Sequence, residues 1–309
     1  MVGSKASLLV VVILLSAACS SSASSHAPSP APSSAPTPTA TASSPDRATE
    51  NPPTPSPRPT AAASPSATAS PQPSGAASKL PAGALTIVTL GDSLTEGEGD
   101  DSGTGGYPGR LLPLVKGARP GSRILNFGHS GWESADLIDG LDGRPSELTQ
   151  AIAAHPNVAL VWIGSNDLWY LYEGGPEPME ADFERADLAT YEANVDTILR
   201  QLTSHGAVVY IALLDDQSKR PVVADPPNPA EPAFTAITPA DLRLMSKHVV
   251  AYNAIIARKA AQYHAVTVDF FHTTIFTDPV TLYGDGNHPN EAGYDKITQI
   301  WWKALQAGL

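Results

Sequence analysis

The sequence predicts an α/β protein, built as three layers, α/β/α, around a mainly parallel sheet of about five strands. Two observations carry this. From residue 81 onward short apolar runs alternate with amphipathic stretches, the pattern of strand–helix–strand units. Several of the runs are also continuously apolar, as strands covered on both faces are. A third observation sets the limits of the fold. Residues 20–80 are almost entirely Ser, Ala, Pro and Thr and contain no Phe, Tyr or Trp. The 229 residues that follow have the composition of a globular core, and that length suits one α/β domain.

In chain order, strands are expected over residues 85–90, 124–127, 158–163 and 208–213, with a weaker fifth over 266–269. Helices are expected over 190–204, where Tyr191, Val195, Ile198 and Leu202 recur at helical spacing, and over 240–263, where Leu244, Val249, Tyr252, Ile255 and Ile256 do so. A last helix is expected over 290–305, opened by Asn290 after Pro289. Such a sheet binds ligands at the carboxyl ends of its strands.

The N-terminus reads as an address. Lys5 gives a basic start, residues 6–15 an apolar run, and Ser16-Ala17-Ala18 a small-residue exit. This is the layout of a secretory signal over 1–18, too short for a permanent span, which needs about 20 apolar residues. Cys19 follows and is the only cysteine, so no internal disulfide can form. Leu15-Ser16-Ala17-Ala18-Cys19 resembles a bacterial lipobox, although Ser16 stands where Leu is customary and Leu15 lies one residue early. The expectation is a lipoprotein anchored through Cys19 to the outer face of the membrane, or otherwise an extracellular protein. Residues 19–80 then form a disordered tether, since so little apolar surface cannot offset the entropy of ordering. In extended polyproline form, about 60 residues would reach on the order of 100–190 Å. Residues 81–309 form the folded domain.

Charge narrows the partners. The chain carries a net −12, and the part after residue 80 carries −14, with 29 acidic and 15 basic residues. A domain of that sign repels phosphate backbones, so nucleic acid is excluded as a partner. Membrane contact is expected only through Cys19, and the domain is expected to be a monomer.

Four polar clusters fall at strand ends. Gly91-Asp92-Ser93-Leu94 follows the first strand, Gly128 lies in Asn126-Phe127-Gly128-His129-Ser130-Gly131 after the second, and Gly164-Ser165-Asn166-Asp167 follows the third. Asp285-Gly286-Asn287-His288 lies near the C-terminus. Acyl transfer needs such parts. A serine nucleophile requires a base, for which histidine suits neutral pH, and that base requires an acid to fix its tautomer. Ser93, His288 and Asp285 match these roles. The backbone N–H groups of Ser93 and Gly128 and the side-chain amide of Asn166 are candidate donors to the oxyanion.

In these blocks the chain resembles the SGNH hydrolases, also called the GDSL esterase/lipase family. The family's Ser, Gly, Asn and His fall on Ser93, Gly128, Asn166 and His288, over essentially all of 85–309. The resemblance implies a flavodoxin-like fold and ester or thioester hydrolysis without a cofactor. Ser165 departs from it, standing where many members have glycine.

Other motifs fit less well. Gly128-His129-Ser130-Gly131 lacks the last glycine of a G-x-S-x-G elbow, with Trp132 in its place, so Ser130 reads as structural and His129 as loop packing. Gly103-Thr104-Gly105-Gly106 lacks the Lys-Ser/Thr of a phosphate loop and reads as a flexible loop opening no helix. The remaining histidines lack metal-ligand spacing, so no metal is expected. Glu96, Glu98, Asp100 and Asp101 read as solvated loop residues. Trp132, Trp169, Tyr170 and Tyr172 are expected to wall the substrate, with Pro-rich excursions at 174–178 and 218–239 as its rim.

The function expected is hydrolysis of carboxylic esters, esterase or lipase in type, through an acyl-enzyme. Two alternatives stand beside it: a carbohydrate O-acetylesterase acting on polysaccharide, and an inactive binding module displayed at the cell surface.

Overall fold

Five parallel strands lie side by side in the order β2-β1-β3-β4-β5. The computed structural model describes residues 79–174, 181–226, 234 and 237–309. The expected signal, Cys19 and all but the end of the tether lie outside the described residues, as does much of both Pro-rich excursions.

The strands are β1 (Thr86–Gly91), β2 (Arg123–Asn126), β3 (Val158–Trp162), β4 (Val208–Leu213) and β5 (Val266–Asp269). All five match the expected runs to within a residue at each end. Their order explains their composition. Central β3 is buried at every residue, and β1 and β4 at all but the first. β2 and β5, at the edges, are only partly buried. Each fully buried Val, Leu or Ile contributes about 1.5–3 kcal/mol, so β1, β3 and β4 anchor the domain.

The helices in chain order are α1 (Ser93–Glu96), α2 (Gly106–Ala118), α3 (Ser134–Asp139), α4 (Glu147–Ala153), α5 (Ser165–Gly174), α6 (Ala181–Ser204), α7 (Pro221–Ala224), α8 (Pro239–Gln262) and α9 (Glu291–Gln306). α2 and α9 pack together on one face of the sheet, while α4, α6 and α8 cover the other. α9 begins as expected, with the Asn290 side chain accepting the Gly293 N–H (3.1 Å). At the start of α8, Thr238 and Asp241 form a reciprocal capping box that spans Pro239.

Two expectations are corrected. α6 starts nine residues before 190, because its first turns are polar and show no apolar stripe; Asp187 there accepts the Tyr252 hydroxyl of α8 (2.7 Å). Gly106 does open a helix: α2 begins there because the Asp100 carboxylate accepts its N–H (2.8 Å) and is itself held by Arg110.

With this strand order the chain reverses direction of travel across the sheet between β1 and β3. The crevice at that switch point is where such folds place ligands. The segment after β1 carries Ser93, and the segment after β3 carries Asn166.

Candidate active site

Ser93 is the first residue of α1. The Asp92 side chain caps this turn by accepting the Leu94 N–H (3.0 Å), and Gly97, at φ 105°, closes it onto the Ser93 carbonyl. The turn rests on an aromatic base. Tyr107 hydrogen-bonds Thr95 Oγ1 (3.2 Å) and stacks on Trp301, whose neighbour Trp162 stacks on Phe270 at 4.1 Å. Beneath it, the Gly91 N–H donates to Glu147 Oε2 (2.9 Å). Burial pushes the Glu147 carboxyl up to about 9 and that of Asp92 up to about 6.

The loop before α9 brings His288 to this turn. The Ser93 hydroxyl lies 3.0 Å from His288 Nε2, and His288 Nδ1 lies 2.6 Å from Asp285 Oδ2. The other Asp285 oxygen accepts the N–H groups of Asn287 (2.8 Å) and His288 (3.0 Å). Burial alone would raise the Asp285 pKa. The His288 hydrogen bond and the two backbone donors reverse this and hold the carboxyl below its ordinary value. The geometry therefore sets a carboxylate against one nitrogen of the ring and a serine hydroxyl against the other.

A buried guanidinium fixes this loop from behind. Arg220, only 1% exposed, donates twice to Asp215 (2.9 and 2.7 Å) and once to Asn287 Oδ1 (2.8 Å). It also lies over the Phe276 ring at 4.4 Å. Next to it the Val222 N–H donates to the Gly286 carbonyl (3.0 Å). Residues 218–226 of the second Pro-rich excursion thus grip the loop that carries Asp285 and His288. Neither Arg220 nor Asn287 was legible as a site residue, since the pairing joins distant segments.

The loop after β2 corrects an expectation. The Gly128 N–H is engaged by Asn126 Oδ1 (3.1 Å) and is not offered to a ligand. Gly128 serves close packing instead, since a Cβ there would sit 2.7 Å from the Glu96 nitrogen and the Thr95 Cβ. The His129 N–H donates to Gly91 O (2.8 Å), that of Ser130 to Glu96 Oε2 (2.6 Å) and that of Trp132 to His129 O (3.3 Å). Among the described residues, the Gly131 N–H is the one in this loop without a partner, and the Ser93 N–H is likewise free. Asn166 gives one amide hydrogen to the Trp132 carbonyl (2.9 Å), which leaves the other available. The free backbone donor of this loop thus belongs to Gly131, three residues past the expected glycine.

The aromatic wall is also revised. Trp169 is buried, stacked on Phe234 (4.6 Å) with Arg220 5.9 Å from its ring, and Tyr172 is buried against His248. Trp132 is 5% exposed and packs edge-on against His129. Tyr170 alone of the four is open, at 45%, with its hydroxyl donating to the Gly131 carbonyl (3.2 Å).

The acidic residues behind Ser93 are not simply solvated. Glu96 and Glu98 hold Ser130, through its N–H and its hydroxyl (2.6 Å each), and Asp100 pairs with Arg110. Ser130 is structural, as its sequence context implies.

A five-stranded parallel sheet in this order, with Ser, His and Asp converging at its carboxyl edge, describes the SGNH class of ester hydrolases. Residues 89–296 match the model of the GDSL-like Lipase/Acylhydrolase family, and the chain belongs to that family. It is 25% identical over 232 residues to the uncharacterized protein YpmR of Bacillus subtilis (strain 168), covering 72% of this chain and 82% of that one. Among solved structures, LAE5, an alpha/beta hydrolase enzyme from the metagenome of Lake Arreo, Spain, is similar. It has a TM-score of 0.52 and 20% identity, covering 74% of this chain and 98% of LAE5. A single-residue variant of Axe2, an acetyl xylan esterase from Geobacillus stearothermophilus, has a TM-score of 0.50 and 19% identity, covering 74% and 97%. At such identities these two structures speak to the fold. Family membership makes the chain an ester hydrolase.

Proposed function

We propose that this protein cleaves carboxylic esters through a covalent acyl-enzyme formed on Ser93. One observation carries the proposal: the continuous Ser93–His288–Asp285 chain at 3.0 and 2.6 Å. In this reading Asp285 keeps the proton on Nδ1, so Nε2 accepts the Ser93 proton as Oγ attacks the ester carbonyl. The oxyanion receives the N–H groups of Ser93 and Gly131 and the free hydrogen of the Asn166 amide. As the tetrahedral intermediate collapses, Nε2 returns its proton to the leaving alkoxide, and the alcohol departs. Water then attacks the acyl-enzyme with His288 again as base. This releases the acid and restores Ser93.

Labelling by a fluorophosphonate tests the reading: the wild type is expected to react, and Ser93→Ala to lose the label while remaining folded. An unlabelled folded wild type overturns it. A second reading, carbohydrate O-acetylesterase, is favoured by the polar, carboxylate-bearing surroundings of His288, with Glu98 Oε2 3.6 Å from Nε2. We also propose export and lipid attachment at Cys19, supported by the order of basic start, apolar run, small residues and cysteine. Mass spectrometry of the mature N-terminus decides this, and an unmodified start beyond Cys19 refutes it.

A further inference from the structure

One carboxylate in the centre is unused by this mechanism. Glu98 Oε2 lies 3.6 Å from His288 Nε2, the atom that must hand its proton to the leaving group. The Ser130 hydroxyl donates to that same oxygen (2.6 Å), which fixes its direction, and the Tyr294 hydroxyl donates to the Glu98 carbonyl (2.7 Å), which fixes its backbone. The side chain nonetheless remains about half exposed, at 49%.

Next to it the chain passes very close to the catalytic loop. A Cβ on Gly99 would sit 3.0 Å from the His288 Cβ and 3.3 Å from the Tyr283 Cβ. A hollow of about 350 Å³ opens there, lined by Gly99, Asp101, Tyr283, Asn290, Glu291 and Ala292. Its chemistry is one-sided. It offers two carboxylates and a tyrosine 44% exposed, and among the described residues no Lys or Arg lines it. Both Asn290 amide hydrogens are engaged, by the Val280 and Leu282 carbonyls.

We propose that Glu98 and this hollow form the leaving-group subsite, selecting esters of neutral polyols, such as acylated sugars, over esters whose alcohol carries phosphate or carboxylate. The departing oxygen must come within hydrogen-bond range of Nε2. An acceptor 3.6 Å from that nitrogen is placed to meet a hydroxyl on the adjacent carbon of the same alcohol. That hydroxyl donates to Glu98 while the departing oxygen takes the proton from Nε2; no other bond changes. A surface rich in acceptors and without cations binds hydroxyl donors, an aromatic ring accepts a sugar face, and the same surface repels anions.

The proposal rests on the serine-esterase reading, and the test separates the two. Purified full-length protein is assayed for kcat/KM on three acetyl esters: 1-acetylglycerol, propyl acetate and 1-acetylglycerol 3-phosphate. The wild type is expected to prefer the first over both others. In Glu98→Gln the ratio of 1-acetylglycerol to propyl acetate should fall about tenfold, the difference between a charged and a neutral acceptor. Its discrimination against the phosphate ester should shrink by a similar factor. The readout is a ratio, which a general loss of activity does not move. Ratios unchanged in Glu98→Gln overturn the subsite and leave the esterase reading standing. A wild type inactive on all three esters and unlabelled by fluorophosphonate overturns both.

Discussion

Replacing Arg220 with Met removes the guanidinium that holds the loop of Asp285 and His288 while keeping a chain of similar reach. The side chains of Arg220 and Asp215 are only 2% and 4% exposed, so the substitution leaves a buried carboxylate without its partner. Breaking a buried pair in this way costs about 3–5 kcal/mol. Asn287 also loses a charge-assisted bond of 2.8 Å, and its partial exposure keeps that loss to about 1 kcal/mol. The expected total is about 4–6 kcal/mol, a large part of the ~5–15 kcal/mol by which a domain is stable. Urea denaturation at neutral pH, extrapolated linearly, reads it directly. Converting Asp215 to Leu in the same chain removes the orphaned charge and should restore about 3 kcal/mol, because well-packed apolar pairs replace buried ion pairs with little loss. Asn287 lies between Asp285 and His288, and of the two bonds that the Arg220 segment makes to that loop only Val222–Gly286 would remain. The folded fraction of Arg220→Met should therefore lose kcat more than it changes KM. A loss of stability under about 1 kcal/mol, or a double variant no more stable than the single one, would refute the clamp.

Asn166→Ala should lower kcat by roughly 10²–10³ with the fold intact, as removal of one oxyanion donor does; an undiminished rate takes Asn166 out of the mechanism. Glu147 is protonated in the folded chain and ionised in the unfolded one between its ordinary 4.5 and its raised value of about 9. The folded state then holds the extra proton, so stability falls as pH rises through that window, by at most ~1.4 kcal/mol per pH unit. Below it both states are protonated and the effect vanishes. Glu147→Gln removes the ionisation, and its advantage in melting temperature over the wild type should widen from pH 5 to pH 9. A flat difference would count against a neutral Glu147.

Much of the centre was legible because its parts are local. Ser93 follows a recognisable apolar run, and Asp285 and His288 stand three residues apart, close enough to meet within one turn. The strands were legible because β1, β3 and β4 are covered on both faces and so are apolar almost throughout. What escaped were features decided by contacts across the chain. Gly103 to Gly106 reads as a breaker, yet a helix starts there because Arg110 and Asp100 pair behind it. Gly128 and Gly131 are equivalent as letters, and only the direction of the Asn126 side chain separates them. Glu98 is one acid among several until the fold sets it beside His288. Trp169 has the composition of a substrate wall, but Phe234 and Arg220 cover it.

The two ends of the domain meet. The Leu80 N–H donates to the Gly308 carbonyl (2.9 Å), and Arg119, just past α2, donates to the Leu309 carbonyl (2.7 Å). That junction lies where the strands begin, whereas Ser93, Asn166 and His288 lie where they end. A cargo, surface or resin joined through either terminus therefore hangs from the rear of the domain, and the cleft faces outward. Immobilised through residue 79 or through Leu309, the enzyme should meet bulky or insoluble esters as freely as it does in solution, with no spacer needed to turn it round.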